Sequence, residues 1–417
     1  MTAGLDALLA RVDATRMAAT VVRLAGDVFA GRRAGSAGGA AARDWLRDRL
    51  TGLGADVGVD PFPVRAVPVV RASPEAVWHD GSTEHRPAFG RQVLPHFASA
   101  DLPGRRRGDL GIAGAGDPAG RWLLVPPSMS LFDAYGHGGG AAGLLVSRAV
   151  DADGWHYTLL VGPDPGPLPV LTLDPACYAA MSVSAASGRG WLEATAPIRR
   201  DDVTAANVHA RWGNAGTVLL TAHYDGVGDL PGLRQPAASD NASGVAVVLE
   251  AARVLAPVLP DGLAVALLDA EEIGALGSAR HAGQVREARP SVVNVDGAGL
   301  PREARPLVVN VDGAGRLGAA VAVEAGGPAH ALLSMLDQAG RHTGVPLAPG
   351  PMASDNRRYA AAGLAAVGIG AGMGGYHSPA DTPDRVDSGT LAAVCRLVVA
   401  TTWLASGRLS SLIGDRR

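Results

Sequence analysis

Apolar residues follow different rhythms in different parts of this chain. Over residues 1–64 they recur at helical spacing. They predict one helix over about Leu5–Leu24 and another over about Gly39–Leu53, joined by the Gly-rich stretch AGRRAGSAGG. Asp56–Val64 reads as a strand. From about Ala66 to Pro197 the helical spacing fades. Short apolar runs (RWLLVPP, AAGLLVS, YTLLVG, LPVLTLD, GWLEATA) stand between Gly/Pro turns, the pattern of a small β-rich unit. From Asn207 onward strands and helices alternate. TVLLTAHYD and LAVALLDAEE are buried strands running into polar residues, and SGVAVVLEAARVLA and GALGSARHAGQVREA are helices. Two VVNVD runs follow, then AAVAVEA, a helix near 330–343, LAAVGIGAG, and a last helix over about Ser388–Ala405. Strands apolar on both faces and separated by helices predict an α/β fold: a mixed, largely parallel central sheet sandwiched by helices. In such sheets, sites form at the carboxyl ends of the strands.

Composition narrows the partners. The 417 residues are too many for one ordinary core, and 47% are hydrophobic, so a large core in more than one unit is expected. The 56 Gly and 29 Pro are spread along the chain and read as turns. All 37 basic residues are arginine, which fits coding bias, and a net charge of −3 argues against a nucleic-acid binder. GRRRGD at 104–109 lacks interleaved aromatics and reads as a solvated loop. Cys177 and Cys395 set no disulfide framework. No apolar run reaches the length of a membrane span, and the amphipathic N-terminus does not resemble a signal peptide. A cytoplasmic protein without nucleic-acid or membrane partners is the expectation.

The strand-end residues carry the candidate chemistry. They are His223 and Asp225, Glu271 and Glu272, and Asp296 or Asp312, with Asp240 before a helix and His377 in GGYHSPADTP. Each has a plain structural reading. Asp240 fits a helix N-cap, the Glu pair a solvated first helical turn, and Asp381 a turn former. Together they are several acids and imidazoles at the ends of strands of one sheet, where like charges repel unless a cation sits among them. An O/N donor set without cysteine suits an open, catalytic divalent-metal site.

The ordered motifs HYD, SDNASG, EEIGALGS, VVNVD and YHSPADTPD resemble Peptidase family M28, the co-catalytic zinc peptidases that are chiefly aminopeptidases. The resemblance covers about 207–390, and LAGDVFAGRRAGSAGG is similar to the family's N-terminal segment. It implies a zinc-exopeptidase fold in two pieces, 1–65 and 200–417, around a protease-associated (PA)-like insert at 66–199. It also implies two zinc ions bridged by Asp240. His223 and the VVNVD aspartate would complete one site, and Glu272 and His377 the other. Glu271 would be the general base, Asp225 an orienting residue, and Tyr376 a hydrogen-bond donor to the oxyanion. The substrate would be a peptide or small amino-acyl compound. PMASDNRRY departs from the family's later SD motif, which leaves recognition of a free substrate amine open. Glutaminyl cyclisation and hydrolysis of acylated amino acids or dipeptides are the rival reactions on this scaffold.

The VVNVD aspartate is ambiguous, because residues 286–301 are nearly copied from Arg302 onward. Only one copy can fill a central strand. Asp296 lies 24 residues after Glu272 and Asp312 lies 40 after it. The shorter connection favours Asp296, though a longer loop costs little. A non-catalytic binding protein, its site spoiled by the duplication, is the rival of another class.

Overall fold

The computed structural model describes residues 2–160, 164–213, 217–288 and 305–414. In chain order the strands are β1 (Asp56–Val70), β2 (Ala76–His79), β3 (Glu84–His85), β4 (Val93–Pro95), β5 (Leu102–Ile112), β6 (Trp122–Leu124), β7 (Gly143–Ser147), β8 (Val170–Leu173), β9 (Trp191–Ala196), β10 (Ile198–Trp212), β11 (Val218–His223), β12 (Leu263–Leu268), β13 (Leu307–Val311), β14 (Val321–Gly326), β15 (Leu347–Pro349) and β16 (Ala366–Gly370). The helices are α1 (Thr2–Leu9), α2 (Ala14–Leu24), α3 (Ala37–Gly52), α4 (Leu131–His137), α5 (Pro175–Ser187), α6 (Ser243–Leu255), α7 (Leu276–Ala288), α8 (His330–Thr343), α9 (Asn356–Ala361) and α10 (Ser388–Gly414). Among the described residues the strands form two mixed sheets, ordered β1-β10-β12-β11-β13-β16-β14-β15 and β3-β2-β9-β5-β6-β7-β8-β4. The second sheet is built wholly from chain between β1 and β10, with α4 and α5 beside its strands.

The centre of the first sheet positions everything that follows. There β12, β11, β13 and β16 run parallel, so their carboxyl ends open on one edge. Leu220, Val265, Val309 and Val367 face a core shared with α6 and α10. Leu219, Ala266, Val308 and Ala366 face the opposite cluster, closed by Ala282 of α7 and Tyr359 of α9. Both faces are buried, which is why these strands read as unbroken apolar runs.

Several elements differ from the sequence expectation. The first helix is two, α1 and α2, because Asp13 caps α2. Its carboxylate accepts from the N–H groups of Thr15 (2.9 Å) and Arg16 (3.2 Å). The strand expected at Asp56–Val64 continues to Val70, held by antiparallel pairing with β10. Residues 157–160 of the YTLLVG run are loop, not strand. Ser388–Gly407 is, by length and mean hydropathy, apolar enough to cross a membrane. This differs from the expectation that no apolar run is long enough, since its Arg, Ser and Thr residues interrupt the apolar pattern without lowering its mean hydropathy below that of a span. Here it is a mostly buried core helix whose Leu391, Val394, Leu397 and Val398 sit in the main cluster.

Arg32, in the Gly-rich joint, is fully buried beneath the carboxyl edge of the sheet. Its Nε donates to Tyr224 O (2.7 Å), Nη1 to Leu24 O (2.7 Å) and Pro236 O (3.0 Å), and Nη2 to Ala237 O (2.7 Å). One guanidinium thus ties α2 to the turn after β11 and to the segment before α6. The neighbouring Gly31 has φ +70, and a Cβ there would lie 2.7 Å from the Asp229 nitrogen, so the joint requires glycine. Burial lowers the Arg32 pKa to about 10, against the pull of Asp381, Asp225, Asp240 and Glu272, so it stays charged at neutral pH. Arg32→Met would strand four buried carbonyls, each worth roughly 1–3 kcal/mol. We expect urea denaturation to show a stability loss of about 3 kcal/mol or more; a loss below about 1 kcal/mol would mean the guanidinium is not a tie.

Candidate active site

His223 is the last residue of β11, and the chain turns at once toward Asp225. Its imidazole is buried, with Nδ1 3.2 Å from the Asp225 carbonyl oxygen. Its Nε2 lies 3.2 Å from Asp240 Oδ1 and 3.3 Å from Asp312 Oδ1. Asp312 is the first residue after β13. On the other side, His377 Nε2 lies 3.2 Å from Asp240 Oδ2 and 2.8 Å from Glu272 Oε2. The two oxygens of Asp240 therefore face two different histidines, each with a further carboxylate of its own. Ligand atoms of His223, Asp240 and Glu272 lie within 4.8 Å of one another.

The plain readings of these residues do not hold. Asp240 makes no side-chain cap to the segment that leads into α6. Its carboxylate is turned to the histidines instead. Glu271 and Glu272 are not a helical first turn, because β12 ends at Leu268 and α7 begins only at Leu276. They lie on the connection between, where Ala270 (φ 59) and Gly274 (φ 106) turn the backbone. Asp225 fixes that turn by accepting from the N–H of Glu271 (3.1 Å) and of Glu272 (3.2 Å). Asp381 is more than a turn former: its buried carboxylate accepts from the N–H of Ser239 (2.6 Å) and of Asp240 (3.0 Å). Tyr376 stacks on His377 with ring centroids 3.7 Å apart and remains 40% exposed.

The electrostatics show a surplus of negative charge. Burial alone would lower the pKa of His223, but Asp312, Asp225 and Asp240 outweigh it and hold the imidazole well above its ordinary value. His377 is raised in the same way, burial being overcome chiefly by Glu272 and Asp240. Burial pushes Glu271 well up; His223 counters this, and Asp355, Asp312 and Glu272 add to it. Burial also lifts Asp355 and Asp381 to about 7. Glu272 Oε1 is buried and finds no hydrogen-bond partner among the described residues. An orphaned buried oxygen among crowded carboxylates and imidazoles fits a bound divalent cation. The O/N donor chemistry fits zinc.

Residues 207–402 match the model of Peptidase family M28. Over that stretch the chain is similar to this family. Its fold is shared by solved structures of low identity. A peptidase M28 precursor from Shewanella amazonensis superimposes with a TM-score of 0.72 at 19% identity, over 97% of this chain and 96% of that one. A zinc aminopeptidase from Bacillus subtilis gives 0.69 at 20% identity, over 94% of each chain. A glutaminyl cyclase from Fimbriiglobus ruber gives 0.51 at 16% identity, over 94% and 95%. A search of curated proteins finds no match.

Within the matched stretch, the slot between β11 and β16 is filled by the second VVNV copy. Val218, Leu219, Leu220 and Thr221 pair with Leu307, Val308, Val309 and Asn310. Asp296, favoured by loop length, lies outside the described residues, and the aspartate beside His223 is Asp312. Loop length was a weak discriminator, since each doubling costs only about 0.6 kcal/mol. What distinguishes the copies is their downstream chain. After Asp312 the chain passes into β14, and on the way the Leu317 N–H donates to Thr390 Oγ1 (2.9 Å). After Asp296 comes Pro301 and the second copy.

For three residues in or under the site, Arg32, Asp355 and Asp381, sequence reasoning missed the role. Each acts on backbone or charge far away in sequence, so no local pattern marks it. Asp312→Ala should weaken divalent-metal binding by more than the roughly 10–100-fold typical of an outer partner. Asp296→Ala should bind metal within about twofold of the parent. Metal titration of the stripped proteins checks this, and the reverse order would place the first copy in the slot.

Proposed function

We propose that this chain is a metal-dependent aminopeptidase that removes N-terminal residues with two zinc ions. The observation that carries the reading is the divided carboxylate of Asp240, with one oxygen 3.2 Å from His223 and the other 3.2 Å from His377. His223, Asp312 and Asp240 would hold one ion; Asp240, Glu272 and His377 would hold the other. Zinc bound there would supply Lewis acidity to the scissile carbonyl and lower the pKa of the attacking water. Glu271, beside a ligand and free of that duty, takes the water's proton and passes it to the leaving amine. Asp225 keeps Glu271 and Glu272 aimed into the site through their backbone N–H groups. The Tyr376 phenol, which burial and the surrounding carboxylates push well above its ordinary value, stays protonated and donates to the developing oxyanion. The insert would act as a PA-like wall of the cleft, since its Leu94, Phe97 and Leu160 pack with Val227, Leu230 and Ile273 beside the site.

Resemblance in fold to a glutaminyl cyclase supports a second reading, cyclisation with loss of ammonia. The complete His223/Asp312 half of the site favours hydrolysis. The duplication has left a full donor set, which disfavours a binding protein with a ruined site.

Stripped of metal and then given Zn²⁺, the protein should release N-terminal residues from unblocked short peptides and leave N-acetylated ones intact. Cleavage of blocked peptides, or ammonia release from N-terminal glutamine without hydrolysis, would overturn the aminopeptidase assignment. Glu271→Gln should cut kcat by about 10²–10⁴, the usual worth of general acid–base catalysis, with zinc binding unchanged. Parent-like turnover in that variant would remove Glu271 from its role.

A further inference from the structure

The insert reaches into the site through one loop, residues 151–158. The Thr158 N–H donates to the carbonyl oxygen of His377 (2.8 Å). The hydroxyl of the same fully buried Thr158 accepts from Gln235 Nε2 (2.9 Å), on the segment that leads to Asp240. Ser378, next to His377, donates through Oγ to Asp151 Oδ2 (2.6 Å). At the rim, Arg385 pairs with Asp153 at 2.7 Å. The loop is itself braced. Asp151 Oδ1 accepts from the N–H groups of Asp153 (2.9 Å) and Trp155 (2.8 Å), and the Arg91 guanidinium lies 3.8 Å from the centre of the Trp155 ring.

These contacts matter because His377 lacks the usual restraint. A metal-ligating histidine ordinarily fixes its ring by donating from the second nitrogen. His223 has this in the Asp225 carbonyl. His377 Nδ1 is buried and finds no hydrogen-bond partner among the described residues. His377 also sits at φ 51, a left-handed conformation that costs a non-glycine residue roughly 1–2 kcal/mol and persists only where surroundings enforce it. The surroundings on its backbone side are Thr158 and Asp151.

We propose that the insert loop 151–158 positions the Asp240/Glu272/His377 half of the metal centre, with Thr158 and Asp151 as positioning residues. Thr158 holds both chain segments that carry this half's ligands. The other half, His223 and Asp312, is fixed by β11, β13 and Asp225 and does not touch the loop through any of these bonds. The insert is then a structural part of one metal site as well as a wall.

The inference rests on the two-metal reading, and one titration separates the two. Stripped parent, Thr158→Val, Asp151→Ala and Ser378→Ala would be titrated with Co²⁺, followed by visible absorption and by competition with a chromophoric chelator. The parent should bind two equivalents. Thr158→Val keeps the side-chain shape and loses the acceptor. It and Asp151→Ala should each weaken one equivalent about tenfold, within the range for outer partners, and leave the other within about twofold. Ser378→Ala should show the same selective loss, and the Asp151→Ala/Ser378→Ala double variant should be weakened by less than the two singles added together, since they share one bond. Parent-like binding of both equivalents in the variants, or equal weakening of both, would overturn the proposal while the two-metal reading stands. A parent that takes up one equivalent would overturn both.

Discussion

Negative charge gathered at one edge of a sheet is the constraint on which this structure depends. Asp225, Asp240, Glu271, Glu272 and Asp312 all come from connections at the carboxyl ends of parallel strands or, for Asp240, from the segment ahead of α6. Carboxylates so placed repel one another, and burial makes the repulsion stronger. The fold answers in two ways. Arg32 lies beneath the cluster as a buried cation hydrogen-bonded to four carbonyls. The two imidazoles lie between the carboxylates and are drawn toward their charged form. What remains unsatisfied is a site whose donors suit divalent cations. Two neighbouring acids bond to backbone instead: Asp225 and Asp381 accept from the N–H groups of Glu271, Glu272, Ser239 and Asp240, fixing those residues from behind.

The parallel sheet was legible in the sequence because strands buried on both faces leave unbroken apolar runs, and the polar residue after each run marks the edge. His223, Asp225 and the Glu pair could be found that way. Asp240 could not, since a helix N-cap explains it equally well; only the ordered motifs raised it to a ligand. The roles of Asp381 and Arg32 were illegible because their partners are backbone atoms, nearly all of them more than a hundred residues distant. The YTLLVG run shows the opposite error. Its apolar content suggested a strand, yet the backbone of Thr158 lies in a loop and bonds to His377.

The duplicated strand is instructive about what sets register. Both copies offer VVNVD, so neither pairing propensity nor side-chain fit can choose between them. The copy in the sheet is the one continuous with β14. Its Asn310 accepts from Thr221 Oγ1 (2.7 Å) and donates to Ser354 (2.9 Å), and Asn241 donates to its Val311 carbonyl (2.9 Å). Its Gly315 accepts from the Asp387 N–H (2.7 Å) and donates to the Gly372 carbonyl (3.0 Å). Continuity with the downstream chain outweighs a shorter loop upstream, because loop closure grows only slowly with length. The aspartate that follows the paired copy, Asp312, therefore stands beside His223.

The central claim is that two cations share Asp240 in a centre completed by Asp312. Anomalous diffraction at the zinc absorption edge from crystals of the zinc-loaded protein tests it most directly. The account predicts two anomalous peaks about 3.5–4 Å apart, the spacing of co-catalytic pairs. Asp240 should lie between them, with His223 and Asp312 on one ion and Glu272 and His377 on the other. A single peak, or density showing Asp296 in place of Asp312 beside His223, would contradict it.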